Sequence, residues 1–255
     1  MITLASDFGS PYPAAMKGVI LRESDARLVD VTHELPRQDV RAAAFWTRET
    51  LPYFPPAVHL VVVDPGVGTD RDALVGRVGD HAFVAPDNGV VRPVARRLAA
   101  ETGADPEWFV YEYEDPASTT FHGRDVFAPA AAAVHEAGVE NFESLPAITP
   151  ADDAVDLRFP TATVEGDSAR GEVLVVDDFG NAITNVPGSF LDGRAGETLS
   201  ANGTDAPVET AYAAVDPGER LVTVGSHGYV ECDVNRGRGD EAFGLEPGDD
   251  VRLRF

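Results

Sequence analysis

The sequence predicts an α/β protein: an N-terminal layered α/β domain with a mostly parallel sheet, followed by a small C-terminal antiparallel β-barrel. Three observations carry this. Through about residue 135, runs with strand periodicity alternate with runs of helical periodicity, as in layered α/β domains. Residues 57–64, AVHLVVVD, form a nearly continuous apolar run, as expected of a central strand buried on both faces. Beyond about residue 140 short strand-like runs dominate, separated by Gly, Asn and Asp turns. The domains are expected over 1–145 and 161–255, with a Pro- and Asp-rich linker over 146–160.

Taken in order, ITLA from residue 2 reads as a short buried strand. Residues 11–24 read as a helix, with proline near the start and Ala15, Val19 and Leu21 at helical spacing. Residues 26–32 are strand-like. Asp39 is placed to cap a helix over 40–51, whose apolar stripe is Ala43, Phe45 and Trp46 and which stops near Pro52. After the 57–64 strand, runs 73–78 and 81–85 flank a Gly-Asp turn and read as a hairpin. Asn88-Gly89 opens a helix to about Ala100, 107–113 is another strand, and Asp125 is expected to cap a helix over 126–138 that ends at Gly138. In the second half, strands are expected over 169–177, 181–186, 197–201, 219–225, 228–234 and 250–255.

Composition narrows the function classes. Of 255 residues, 44% are hydrophobic, and the longest apolar runs are strand-sized, far short of a membrane span. The N-terminus shows neither a basic segment nor a long apolar one, so no signal peptide is expected and the location is expected to be cytoplasmic. The single cysteine, Cys232, excludes an intrachain disulfide and a multi-cysteine metal site. Acids number 43 against 20 bases, a net charge of −23, and among the bases only Lys17 is a lysine. A basic partner would account for such charge. The acids are nevertheless dispersed along the chain, which favours a halophilic surface, because in roughly molar salt the Debye length falls to about 3 Å. No basic patch suited to phosphates is present, so nucleic acid is not an expected partner.

Three residues stand out as chemistry: Asp64 and Arg71 in VVVDPGVGTDR, and His122 in STTFHGRD. Asp64 ends an apolar strand, where α/β folds bind ligands. His122 is suited to act as a general base or to polarise water, and a neighbouring Arg favours the charged form of a bound water or carboxylate. Each residue alone reads more readily as structural than as catalytic: a turn aspartate, an arginine of the same loop, one histidine of six. Asp7 in SDFG also follows a strand, where a carboxylate suits a ribose diol, or caps the next helix. VVDDFGNAITN offers Asn181 and Asn185 as amides for a purine edge and Phe179 for stacking or packing. There is no G-x-G-x-x-G, no G-x-x-x-x-G-K-[ST], no G-x-S-x-G and no metal-ligand spacing, so no cofactor or metal is expected.

In order and nearly end to end, SDFG (6–9), DPGVG with Arg71 (64–71), APDNG (85–89), FHGRDVFAP (121–129), DDFGNAITN (177–185) and GSHGYVE (225–231) resemble the S-adenosyl-L-methionine hydroxide adenosyltransferase family, relatives of the adenosyl chlorinases and fluorinases. The resemblance implies a homotrimer with active sites at subunit interfaces and the splitting of S-adenosyl-L-methionine with water into adenosine and L-methionine. It implies that the water-activating Asp, Arg and His are Asp64, Arg71 and His122, and that Asp7 binds the ribose. Phe121 and Gly123 flank His122 in the same motif and join the substrate-binding positions. Purine and methionine contacts are implied at Asp177, Asn181, Tyr212, Ser226 and Asn235, with Asp178 as the alternative to Asp177. Halogenating relatives carry aromatics at the positions of Asp64 and His122 and a halide-holding serine at that of Gly123; this chain has none of these. It also has Gln38 and Ile183 where those relatives have tryptophans.

The chemistry agrees with that assignment. A sulfonium departs as a neutral thioether and needs no acid, whereas water is a weak nucleophile and needs a base or a polarising network. Hydroxide and sulfonium neutralise each other as they react, so a dry, preorganised pocket favours the transition state. The alternatives are a halide adenosyltransferase, a non-catalytic adenosine or S-adenosyl-L-methionine binding module, and a metal-dependent hydrolase.

Overall fold

A strand of Val, Leu and His with every residue buried needs cover on both faces, and that requirement organises the first part of the chain. A computed structural model describes residues 1–114 and 116–255, which divide into two compact units, Met1–Arg158 and Phe159–Phe255. No helix among these residues is long and apolar enough to cross a membrane.

The first unit holds β1 (Ile2–Ser6), α1 (Tyr12–Glu23), β2 (Leu28–Thr32), α2 (Val40–Thr50), β3 (Val58–Val62), β4 (Ala73–Val78), β5 (His81–Pro86), α3 (Arg92–Thr102), β6 (Glu107–Tyr111), α4 (Ala128–Ala137) and β7 (Ile148–Pro150). Its seven-stranded sheet has the order β2-β1-β3-β5-β4-β6-β7. Strands β1, β2, β3, β5 and β6 run one way, β4 and β7 the other. The carboxyl ends of β1, β3, β5 and β6 therefore share one edge. The core joins Ile2, Leu4, Leu60, Val62 and Val84 of the sheet to Met16, Ile20, Val126 and Val134 of the helices.

Asp39 acts as expected, and other local interactions fix the neighbouring elements. Asp39 caps α2, its Oδ1 accepting the Ala42 N–H at 2.9 Å. Gly103, at φ 75°, closes α3 in the left-handed region. Lys17 on α1 pairs with Asp30 of β2 at 2.5 Å. Three expectations are corrected. The buried face of α1 is Pro13, Met16 and Ile20, while Ala15 and Leu21 face solvent, because the core lies on the Met16 side of the helix. Asp125 does not cap α4: a π-helical turn, Gly123–Phe127, precedes that helix, and the Asp125 carboxylate pairs instead with Arg124 at 2.6 and 2.7 Å. The segment 146–160 is not bare linker, since β7 pairs with β6 through Ile148, Thr149 and Pro150.

The second unit holds β8 (Thr163–Glu165), β9 (Ser168–Val176), β10 (Ala182–Pro187), β11 (Thr198–Ala201), β12 (Thr204–Pro207), β13 (Arg220–Val224), β14 (Tyr229–Val234), α5 (Gly239–Phe243) and β15 (Asp250–Arg254). Antiparallel pairing runs β12-β11-β15-β9-β10-β14-β13, with β8 added to β9. Just past β12, Val208 bridges to Val222 of β13, and the Glu209 N–H reaches the Val222 carbonyl at 3.0 Å, so the sheet closes nearly to a barrel. Val173, Val186, Leu199, Val222, Val230 and Val251 fill its interior. Sequence periodicity did not signal β8, β12 or α5, each at most five residues long.

Two imidazoles sit inside the first unit. His59 Nδ1 meets the Thr3 hydroxyl at 2.7 Å, and its Nε2 meets His81 Nδ1 at 2.9 Å with the rings stacked. Burial, and then the nearby His81 charge, push the His59 pKa down from 6.5 to about 3. A histidine with a depressed folded-state pKa adds no penalty above pH 6.5, but below it the unfolded chain takes up a proton that the native chain refuses. Each proton refused costs up to about 1.4 kcal/mol per pH unit. We expect the stability gap between the parent and His59→Leu, measured by urea denaturation, to narrow as pH falls from 6.5 to 4.5. A gap independent of pH would contradict the buried neutral imidazole.

Candidate active site

The parallel strands deliver polar residues to their common carboxyl edge. Asp64 stands two residues beyond β3, with its side chain only 2% exposed. Its Oδ1 accepts the Gly66 N–H at 2.9 Å, the turn interaction that sequence reading allowed. Arg71 folds back across Gly66 so closely that a β-carbon there would lie 2.6 Å from Nη2. Its Nε lies 3.1 Å from Asp64 Oδ1, an ion-pair contact outside hydrogen-bond geometry. Its Nη1 donates to the Asp87 carbonyl at 3.0 Å, just beyond β5. Asn88 secures the same corner, donating to the Val63 carbonyl at 2.8 Å. Arg71 remains 29% exposed, so the pair is accessible from solvent.

His122 is buried and opens the π-helical turn. Among the described residues no hydrogen bond joins it to Asp64 or Arg71. The link is Tyr113, two residues past β6, whose ring meets His122 edge-on at 6.3 Å. The Tyr113 phenol is pushed upward by burial first and then by the charges of Asp72, Asp64 and Asp70, so the tyrosine neighbours both parts of the predicted set. Gly68, at φ 85°, comes so close to the segment before His122 that a β-carbon would lie 2.9 Å from the Thr119 carbonyl oxygen. Only glycine suits that turn.

Asp7 follows β1 and its Oδ2 accepts the Gln38 N–H at 2.7 Å. Beside it an aromatic patch forms: Phe121 meets Phe8 at 5.9 Å and Tyr12 at 5.3 Å, both edge-on. Gly123 faces this patch, its missing β-carbon lying 3.0 Å from Phe121 and 3.2 Å from the Met16 sulfur. The structure thus brings Asp7, Phe121 and Gly123 to one place and Asp64 and Arg71 to another on the same sheet edge.

The remaining predicted positions belong to the second unit. A cleft of about 950 Å³ is lined by Asp177, Asn181, Tyr212 and Ser226, together with Phe179 and Arg236. Asp177 Oδ1 accepts the N–H groups of Phe179 and Asn181 at 2.9 and 2.8 Å, and its Oδ2 accepts Asn181 Nδ2 at 3.0 Å. Asn181 also donates to the Tyr212 hydroxyl at 3.2 Å. Phe179 is 79% exposed, a free apolar face on the rim. Asp178 lines the same cleft, while Asn235 does not, its amide donating to the Val215 carbonyl at 2.7 Å. Asn185 is not a cleft amide either: it is buried, accepting from Glu172 N–H and donating to the Pro160 carbonyl, both at 2.8 Å. Ile183 is fully buried and offers no stacking surface.

Sequence reading missed Tyr113, Asp87, Asn88 and Asp233. Asp233 is 0% exposed, and its carboxylate has the Tyr212 hydroxyl beside it without a hydrogen bond of full geometry. Burial, and then the Glu231 charge, raise its pKa to about 8. The Tyr212 phenol beside it is driven up by burial first, then by Asp233 and Glu231. The one available signal was the acid-x-acid spacing of Glu231 and Asp233, which places both on one face of β14. Among the described residues no group of three or more His, Cys, Asp or Glu is arranged to hold a metal ion.

Comparison with known proteins bears on both units. The SAM hydroxide adenosyltransferase N-terminal domain matches residues 2–145, and the C-terminal domain of the same family matches residues 171–252. An (R)-S-adenosyl-L-methionine hydrolase of Salinispora tropica is 38% identical over 99% of this chain and 97% of its own length. Another of that name, from Thermus thermophilus, is 41% identical over 97% of each chain. Among solved structures, an uncharacterized conserved protein from Thermotoga maritima superposes with a TM-score of 0.82 at 34% identity, covering 100% of both chains. With both domain types matched in order and full-length relatives above one-third identity, the chain belongs to the SAM hydroxide adenosyltransferase family.

Proposed function

We propose that the protein hydrolyses S-adenosyl-L-methionine to adenosine and L-methionine by in-line attack of an activated water on ribose C5′. The observation that carries this reading is the buried Asp64 carboxylate paired with Arg71 at the carboxyl end of β3. A carboxylate beside a guanidinium orients a water by accepting one of its protons while the cation stabilises developing hydroxide. His122 is the second proton acceptor of the set, with Tyr113 packed against its ring. Attack forms the C5′–O bond as the C5′–S bond breaks. The electron pair leaves on sulfur as neutral methionine thioether, and the water's proton passes to the Asp64/His122 set. Holding water and carbon in line removes much of the remaining barrier.

In this reading Asp7 holds the ribose hydroxyls, and Phe121 and Gly123 shape the wall beside them. Asn181 pairs with the purine edge, Phe179 covers it, and Asp177, Tyr212 and Ser226 serve the methionine portion. Asn235 contributes by holding the Val215 segment. The nucleophile assignment is supported by an ionisable pair at 64 and 71 and by a glycine, not a hydroxyl residue, at 123. The protein is read as a cytoplasmic homotrimer with substrate enclosed at subunit interfaces, independent of metal and of nucleic acid or membrane partners. The dispersed net charge of −23 supports a halophilic protein.

Incubating the pure protein with S-adenosyl-L-methionine in oxygen-18 water and high salt should release methionine and adenosine carrying the label at the 5′ oxygen. A 5′-chloro-5′-deoxynucleoside in chloride buffer would establish the halide reaction instead. Ligand binding without methionine release would establish a non-catalytic module, and loss of turnover in EDTA a metal-dependent one. Asp64→Ala and His122→Ala should each lower kcat by about 100-fold while KM shifts by about threefold or less, since both groups act on the nucleophile. Unchanged kcat in both variants would remove them from the mechanism. Circular dichroism and activity should both decline on dialysis from molar salt into dilute buffer; full retention of both would refute the halophilic reading.

A further inference from the structure

Arg71 carries its charge on a flexible stem, so something must decide where its guanidinium points. One end rests against Asp64. The other donates to the main-chain carbonyl of Asp87. The Asp87 carboxylate engages a different segment, its Oδ1 accepting the Val155 N–H at 2.9 Å. Asp87 also extends the β4–β5 pairing, its N–H reaching the Asp72 carbonyl at 3.0 Å. A single residue therefore links the guanidinium, the sheet and the segment 155–157.

That segment is itself gripped. Asp156 takes Arg96 Nη1 at 2.5 Å and Arg92 Nε at 3.4 Å, both from the start of α3. Arg96 also donates to the Leu157 carbonyl. Leu157 lies against Gly89, where a β-carbon would come within 2.6 Å of it. The stretch is a strap laid across the loop that bears Asp87, fastened at Val155 by the Asp87 carboxylate and at Asp156 and Leu157 by arginines. Burial and the neighbouring Asp72 both raise the Asp87 pKa, with the Val155 N–H, Arg92 and Arg71 opposing them. A half-buried acid kept beside another acid at the edge of a site needs a reason, and the strap is one.

We infer that Asp87 is a positioning residue for the water-activating pair: its carboxylate anchors the 155–157 strap so that its own carbonyl holds the Arg71 guanidinium against Asp64. This rests on the proposed hydrolysis. It assigns Asp87 no contact with substrate or with the water. The demand is for an oxygen acceptor at Val155, not for a negative charge.

The test measures adenosine release by the parent, Asp87→Ala, Asp87→Asn and Val155→Pro, together with hydrogen–deuterium exchange of peptides spanning 64–72 in each. Asp87→Ala should lower kcat by at least about tenfold with KM within about twofold, because Arg71 serves the nucleophile rather than substrate capture. Asp87→Asn keeps an acceptor and should recover kcat to within about threefold of the parent. Val155→Pro removes the donor without touching Asp87 and should copy the alanine variant, which keeps the test valid where Asp87→Ala fails to fold. Exchange over 64–72 should quicken in the alanine and proline variants and not in the asparagine one. Alanine and proline variants with parental kcat per folded molecule would reduce Asp87 to a loop staple and overturn the inference. An asparagine variant as slow as the alanine one would also overturn it. A parent that releases no adenosine defeats the hydrolase reading, and the exchange over 64–72 then decides the inference alone.

Discussion

Parallel pairing of β1, β3 and β5 forces three carboxyl ends onto one edge of the sheet, and the first unit's polar chemistry follows from that constraint. Asp7, Asp64 and Asp87 each stand one or two residues past one of these strands, and Tyr113 stands two past β6. Every residue of β1, β3 and β5 is buried, so a one-residue register slip would move side chains such as His59 and Val62 to the wrong faces. A carboxylate at such a strand end loses water without losing its need for partners. The Gly66 amide and the Arg71 guanidinium meet that need, which is why the turn bends back on itself within seven residues.

The two units carry different sets of polar groups. The first carries a carboxylate and a guanidinium at the sheet edge and an imidazole at the head of the π-helical turn, with glycine where a β-carbon would collide. The second supplies an open cleft with an exposed aromatic rim, an amide and a phenol, over a floor of acids. Behind Glu231, the fully buried Asp233 has its pKa pushed up by burial and then by the Glu231 charge, which favours the protonated acid beside Tyr212 over a second anion.

Much of this was legible in the residues. The alternation of periods exposed the layered unit, the Asp39 cap and the Gly-Asp hairpin are local chemistry, and strand ends before turns pointed to Asp64 and Asp7. What escaped reading was non-local. The buried face of α1 depends on where the core lies, and its residues at Ala15 and Leu21 are apolar without being inside. Asp125 looked like a cap because it precedes an apolar run, yet Arg124 beside it claims the carboxylate. Asn185 and Asn181 are alike in sequence, but one faces the main chain of β9 and the other the cleft. Asp87 sat inside a recognised motif, APDNG, with no role of its own. Its role comes from a carbonyl and from an amide 68 positions away, neither of which leaves a mark in the amino-acid order.

The cationic side of the surface is built almost wholly from guanidinium groups. Lys17 is the single lysine, and its ammonium is held by Asp30 at 2.5 Å. Acylating dyes, aldehyde fixatives and succinimide cross-linkers therefore meet one engaged side-chain amine in the whole chain. Conjugation or immobilisation through lysine would act at α1 alone, leaving the carboxylates, more than twice as numerous as the bases, as the practical handle for attaching anything to this protein.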